Sequence, residues 1–249
     1  MIDTGLLSAM VAAMALGGFV QGALGFGCGT VAVPIMVMAG IHLPEAVTIV
    51  YLGVIFQCTH GWSRHRHLVQ WRETFVIFLL RLAGLPVGVT LMATLMETGR
   101  RPVQQTVGGV MLVALALQWI RVEPRTRVPW PWTITAGTTS GLLAGLMGVG
   151  AAPLVLWTNA HAWTGDRIRT FLWMTFLQVT PLHILILYFK FGTQITDNFL
   201  PGLACAPVCV GGAILGGAVG QRMSLRVLRS VSYGIILLIA LACLLSFGT

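Results

Sequence analysis

One arginine stands inside an otherwise uncharged apolar run. Arg81 follows Thr74 by seven positions in the stretch Thr74 to Met96, which puts it roughly 10 Å deep in a helix rising about 1.5 Å per residue. A guanidinium is costly at membrane depth, and an arginine there is by default a functional candidate. Its planar fork of donors suits carboxylate, sulfonate or sulfite oxygens. No carboxylate lies near it in sequence, so a bound anion would supply the missing partner. The plainer alternative is an arginine that snorkels or caps backbone carbonyls.

Two glycine-rich breaks offer a second anion-binding element. They are Gly22-Ala23-Leu24-Gly25-Phe26-Gly27-Cys28-Gly29 and Gly145-Leu146-Met147-Gly148-Val149-Gly150-Ala151-Ala152. Glycine reaches positive φ at no steric cost and admits close approach to the backbone. A helix restarting after such a break presents free N–H groups and the positive end of its dipole to the gap. Close packing of small residues between helices is the competing reading. It is the better one for Gly84-x-x-x-Gly88 and for Gly212-x-x-x-Gly216-x-x-x-Gly220.

Histidines and glutamines complete the chemistry-bearing set. His60 and His183 occupy matching positions near span ends and could couple proton movement to anion movement; an interfacial, hydrogen-bonded histidine is the alternative for each. Gln57 and Gln178 lie on the approach to them, and Gln21 immediately precedes the first break, where an amide could donate to anion oxygens. His65 and His67, between Arg64 and Arg66, read as solvated loop residues.

The elements that must position these groups are membrane helices. Of 249 residues, 56% are apolar and 9% charged, against roughly 25% charged in soluble domains, so a soluble fold of this size is excluded. At about 20 apolar residues per crossing, eight segments would use about 160 residues and leave room only for short loops. The net charge of +8 comes from basic residues scattered between hydrophobic stretches, the pattern of a topology signal and not of a nucleic-acid surface. No basic region precedes the apolar run from Leu6, so the N-terminal segment reads as retained, not as a cleaved signal. Cys28, Cys58, Cys205, Cys209 and Cys243 all lie in apolar stretches, as small core residues do.

The apolar runs fall in a repeating order. A block from Leu6 to about Ile41 is broken near its middle, and spans follow at roughly Leu43 to Gly61, Thr74 to Met96 and Val103 to Ile120. A proline-bearing polar stretch, Arg121 to Trp132, reads as a linker. A second broken block runs from Thr133 to about Trp163, followed by about Ile168 to Phe191, Asn198 to Gln221 and Leu225 to Phe247. The chain thus reads as a single membrane domain, 1–249, with repeat one at 1–120, the linker at 121–132 and repeat two at 133–249. A shift of 123 superposes Gly18, Gly22, Gly25 and Gly27 on Gly141, Gly145, Gly148 and Gly150, and His60 on His183. The copies differ where Gly29 meets Ala152 and Pro34 meets Trp157.

Basic residues decide between two topologies. If each broken block crosses once, the halves are parallel and the loops hold seven basic residues on either side. If each block enters and returns on one side, each half keeps three crossings and the second is inverted. The count then becomes eleven against three, with Arg100, Arg101 and Lys190 outside. The positive-inside rule favours the inverted arrangement, which places both termini outside. The expected fold is an all-α polytopic membrane protein of two inverted repeats, each a glycine-broken, re-entrant helix pair plus three transmembrane helices. Such repeats with discontinuous helices are a transporter architecture, with the site near the midplane.

The pattern Gly22-x-x-Gly25-x-Gly27-x-Gly29-x-x-x-x-Pro34, its echo Gly145-x-x-Gly148-x-Gly150 and the short two-half chain resemble the sulfite exporter TauE/SafE family over essentially the whole length. The family's usual Gly-Gly-Gly core is interrupted here by Cys28 and by Ala151-Ala152. The resemblance implies a carrier of sulfite, of sulfonates such as sulfoacetate, or of other small organic anions across the bacterial inner membrane. It also implies an anionic small-molecule substrate in a lipid bilayer, with no nucleic acid and no cofactor; a homodimer is one assembly it allows.

The expected function is a secondary transporter working by alternating access, with proton coupling through His60 and His183. The substrate would meet Gln21, Gly22, Gly25, Gly27, Gly29, Gln57, Arg81, Gly145, Gly148, Gly150 and Gln178. No G-x-x-x-x-G-K-[ST] signature is present, and no enzyme activity is expected. A metal-ion permease is the alternative, suggested by Cys58 near His60 and by Cys205-x-x-x-Cys209, although soft metals want several converging ligands. An intramembrane lipid-phosphate enzyme is weaker still, because Asp3, Glu45, Glu73, Glu97, Glu123, Asp166 and Asp197 lie singly at span ends or in loops and form no catalytic pair.

Overall fold

The structure, a computed structural model, describes residues 4–120, 122–125, 128–223 and 225–245, without the side chains of residues 225, 226 and 229. Asp3, Arg121 and Arg127, and the side chains of Arg226 and Arg229, all weighed above, lie outside that description. Among the described residues every regular element is a helix. In chain order they are α1 (Thr4–Leu24), α2 (Cys28–Ala39), α3 (Leu43–His65), α4 (Trp71–Glu97), α5 (Arg100–Trp119) and α6 (Trp130–Met147). After these come α7 (Ala151–Asn159), α8 (Gly165–Phe191), the short α9 (Thr193–Thr196), α10 (Phe199–Arg222) and α11 (Leu225–Leu245). Among the described residues four stretches are long and apolar enough to cross a membrane: Thr4–Leu24, Trp71–Glu97, Gly165–Phe191 and Thr193–Arg222. Phe75, Leu79, Leu91, Val113, Leu200, Leu215 and Leu238 stand exposed, as side chains solvated by lipid would.

Each glycine-rich block folds into a hairpin of helices. The chain leaves α1 at Gly25, whose N–H still bonds the Gln21 carbonyl at 2.7 Å, and turns through Gly25 (φ 90°) and Gly27 (φ 112°) into α2. Only glycine takes these left-handed angles cheaply. The break is narrower than its glycine content suggests, because Gly22 remains inside α1 and Gly29 inside α2. α2 then runs back along α1: the Gln21 side chain meets the Cys28 N–H, and Gly17 faces Ala32. In the second block Ser140 bonds the Gly150 carbonyl and the Trp157 indole donates to Thr133, so α7 returns along α6. α6 starts at Trp130, inside the stretch read as linker, because Pro131 fits the first turn of a helix.

Helices of one half pack closely on those of the other. A Cβ on Gly22 would collide with the Ala213 backbone, and one on Gly216 with the Phe19 carbonyl, so α1 lies along α10 with no room between backbones. Gly141 against Arg81 and Gly88 against Leu142 seat α6 on α4 in the same way. These are small-residue contacts of the kind that hold membrane helices together. Residue numbers rise together in both pairs, so each pair is parallel. α3 crosses α8 in the opposite sense, with Gly61 at Trp173 and Tyr51 at His183.

The hairpin tips are anchored reciprocally. Phe26, at the first tip, is buried in a cluster with Ala151, Leu154, Trp157 and Phe171, residues of the second half. Val149, its counterpart at a shift of 123, is buried in the main core among Val33, Val47 and Val50 of the first half. Each tip is thereby fixed by the opposite copy.

Candidate functional site

The two breaks meet. Gly29 sits so close to the Gly148 carbonyl that any side chain there would collide with it. Between the tips lies a small cavity of about 30 Å³, lined by Gln21, Gly27, Gly29 and Thr30 from the first block and by Gly148, Val149, Gly150 and Ala151 from the second. Tyr51 and Val54 of α3, Arg81 of α4 and Phe176, Val179, Thr180 and His183 of α8 close it. These α3 and α8 positions fall near the middles of their helices, so the cavity sits deep between the two ends of the bundle.

Donors dominate its wall. α2 makes its first intrahelical bond from Val31 to Gly27, at 3.1 Å, so the N–H groups of Gly29 and Thr30 have no partner within the helix. The Cys28 N–H is taken by Gln21 Oε1 at 3.2 Å. At the start of α7, Ala151 and Ala152 carry N–H groups and Pro153 carries none. Arg81 is 3% exposed, donates from one terminal nitrogen to the Thr175 carbonyl at 3.2 Å, and lies 5.4 Å from the Phe176 ring centroid. Its Nε has no hydrogen-bond partner, and neither ring nitrogen of the fully buried His183 has one. The His183 ring meets Tyr51 edge-on at 4.7 Å between centroids. Among the described residues no acidic side chain lines the cavity.

Other sequence candidates sit elsewhere. Gly22, Gln57 and His60 line a second, larger cavity of about 430 Å³ between α1, α3, α8 and α10. Gln57 donates to the Gly18 carbonyl at 3.2 Å and accepts from the Cys209 thiol at 3.2 Å. Gly25 packs against the Arg169 side chain, whose guanidinium bonds the Ala23 carbonyl at 3.0 Å. Gly145 is spent on the α4 contact. Gln178, with its carbonyl oxygen buried and unpartnered, lines neither cavity.

Tyr51, Thr30 and Thr180 line the central cavity and were not among the expected residues. Thr180 is the shift-123 counterpart of Gln57, a correspondence that could have drawn attention to it. All five cysteines are buried, and none is joined in a disulfide. Among the described residues no three His, Cys, Asp or Glu side chains converge as a metal site would require.

The family model described as sulfite exporter TauE/SafE matches residues 10–243. No curated protein and no solved structure matches the chain.

Proposed function

The chain belongs to the sulfite exporter TauE/SafE family, and from that premise we propose that it is a secondary transporter carrying a small anion across the bacterial inner membrane by alternating access. Sulfite, an organosulfonate or a similar organic anion is the substrate class. The observation that carries the reading is the set of unpaired polar groups around the central cavity: the Arg81 Nε donor and both ring nitrogens of His183, buried beside two helix starts, with no carboxylate among the described lining residues. An uncompensated charge at the bilayer centre costs about 2.5–3.5 kcal/mol even on insertion scales. An oxyanion with several acceptor oxygens neutralises Arg81 and accepts from the remaining donors at once. A cavity of about 30 Å³ is tight for any such ion, so the hairpin tips must part to admit it.

We read the halves as inverted repeats with re-entrant hairpins. The antiparallel crossing of α3 and α8, the parallel pairs α1 with α10 and α4 with α6, and the return of each short helix along its partner support that reading. With the positive-inside rule it puts the α3–α4 connection, with Arg64 at the end of α3, Arg66 in the turn and Arg72 at the start of α4, in the cytoplasm and both termini outside. His183 at the cavity and His60 in the outer cavity are the proton-coupling residues in this scheme. A proton on His183 adds positive charge beside Arg81 and strengthens anion binding, and its loss promotes release.

The test is flux of sulfite and sulfoacetate in proteoliposomes. Arg81→Gln abolishes it while the protein still folds and elutes as the wild type does. Unchanged flux in that variant would remove Arg81 from the site.

A further inference from the structure

The cavity of about 430 Å³ between α1, α3, α8 and α10 is not used by the central site, and its wall is basic. We propose that it is an anion antechamber: a second oxyanion-binding site that concentrates the substrate at one end of the bundle and delivers it to the central cavity. This rests on the transporter reading above but has its own test.

Its charged groups are Arg64 and Arg169 against Asp166, with His60 and His65 beside them. Arg64 and Asp166 are exposed at the rim, whereas Arg169 is half-buried and braces the last turn of α1 through the Ala23 carbonyl. A basic cleft with low-dielectric walls focuses field lines and raises the local concentration of small anions. The floor abuts the central cavity: Gly22 lines the outer space, and its chain neighbour Gln21 lines the inner one. The partition is held by uncharged groups: Gln21 accepts from the Cys28 backbone N–H and donates to the Cys58 sulfur, and Gln57 accepts from the Cys209 thiol, so opening it separates no ion pair.

The repeat provides the contrast. At a shift of 123, Arg64 corresponds to Leu187, Arg169 to Ala46, Asp166 to Leu43 and Trp173 to Val50. All four counterparts are at most 1% exposed. At the other end these four positions are buried and apolar, and the cavity of about 220 Å³ found there, with His42, Leu43 and Arg100 in its lining, is smaller. The two ends of the bundle therefore differ in size and charge, with two arginines lining the larger cavity and one the smaller.

The experiment places a thiol in the antechamber, with Ala218→Cys on its wall and Ile214→Cys as a second position should the first fail to fold. Protein in phosphatidylcholine nanodiscs is treated with an anionic and a cationic methanethiosulfonate reagent, each rate normalised to that with free mercaptoethanol, and wild type reports background from the buried native cysteines. The anionic reagent is favoured by about tenfold or more, and the preference disappears in an Arg64→Gln, Arg169→Gln background. Sulfate protects the thiol against the anionic reagent beyond gluconate of equal ionic strength. No anionic preference, or one that survives loss of both arginines, overturns the proposal. So does protection that needs phosphatidylglycerol and that sulfate cannot compete with, which would mark a lipid headgroup site. Flux failing for every oxyanion tried while the preference stands would sink the transporter reading and leave the antechamber. Flux persisting with no preference would do the reverse.

Discussion

At the residue scale the central cavity stores an unfavourable arrangement. A buried polar group without a partner costs about 1–3 kcal/mol, and His183 leaves two ring nitrogens in that condition beside an arginine with one more. Stability without ligand is therefore sacrificed at this point, as at many functional sites. His183→Met, of similar volume and without hydrogen-bonding demand, is expected to raise the thermal midpoint in anion-free detergent by a few degrees. The same variant should lose the additional rise that sulfite produces in the wild type through binding to the folded state. A lowered midpoint without anion would mean that His183 has a partner holding the helices together. Arg81, His183 and the glycines could be picked out of the sequence because each is an anomaly in an apolar run. Gln57 and His60 continue the slanted row of α3 that begins at Tyr51 and Val54, each three residues from the last, and the sequence spacing alone does not tell how deep along that row each side chain sits. Six residues from Val54 to His60 amount to about 9 Å along the axis, enough to put one in the central cavity and the other in the antechamber.

At the element scale, position in the bundle depends on glycines that act by absence. Gly141 faces the backbone of Arg81 itself, so a methyl there must push α4 away from α6. Overpacking of this kind costs about 1–3 kcal/mol, and here it also shifts the arginine relative to the hairpin tips. Gly141→Ala is expected to lower both the thermal midpoint and sulfite flux. Gly211→Ala is the matched control, since nothing lies within 4 Å of the methyl it adds to α10, and alanine gains up to about 1 kcal/mol over glycine in a helix. If both substitutions behave alike, the contact of α4 with α6 is not what sets Arg81. The helices themselves were legible from glycine and proline punctuation, and their bounds fall within a few residues of those expected. The width of each break was not, because a glycine within an α-helix and one in a turn look identical until φ is known. Between Gly22 and Gly29 and between Gly145 and Ala152, only Gly25, Gly27 and Gly148 carry positive φ, so the two tips differ in conformation even where their glycines align.

At the scale of the whole molecule, the proposed alternating access raises the question of which pieces would move. α1 is seated on α10 backbone to backbone, and α6 on α4 likewise, contacts with no slack to slide through. In that scheme the hairpin of α1 and α2 would move with α10 as one body, and the hairpin of α6 and α7 with α4 as the other. The phased glycines suggest two equivalent halves, but the packing of each half's helices on the other's could not be read from them, because a repeat pattern speaks of equivalence and not adjacency. The native thiols offer a test. Cys28 in α2 and Cys209 in α10 have their sulfurs 3.9 Å apart, and a disulfide of about 2.05 Å needs only a small approach. Oxidation with a lipid-permeable oxidant in a Cys58→Ala background should therefore join two parts of one body and leave sulfite flux unchanged, with cross-linking verified by loss of free thiol. Were flux to stop on oxidation and return with reductant, α2 would have to move against α10 in every cycle, and the moving unit would be the hairpin alone.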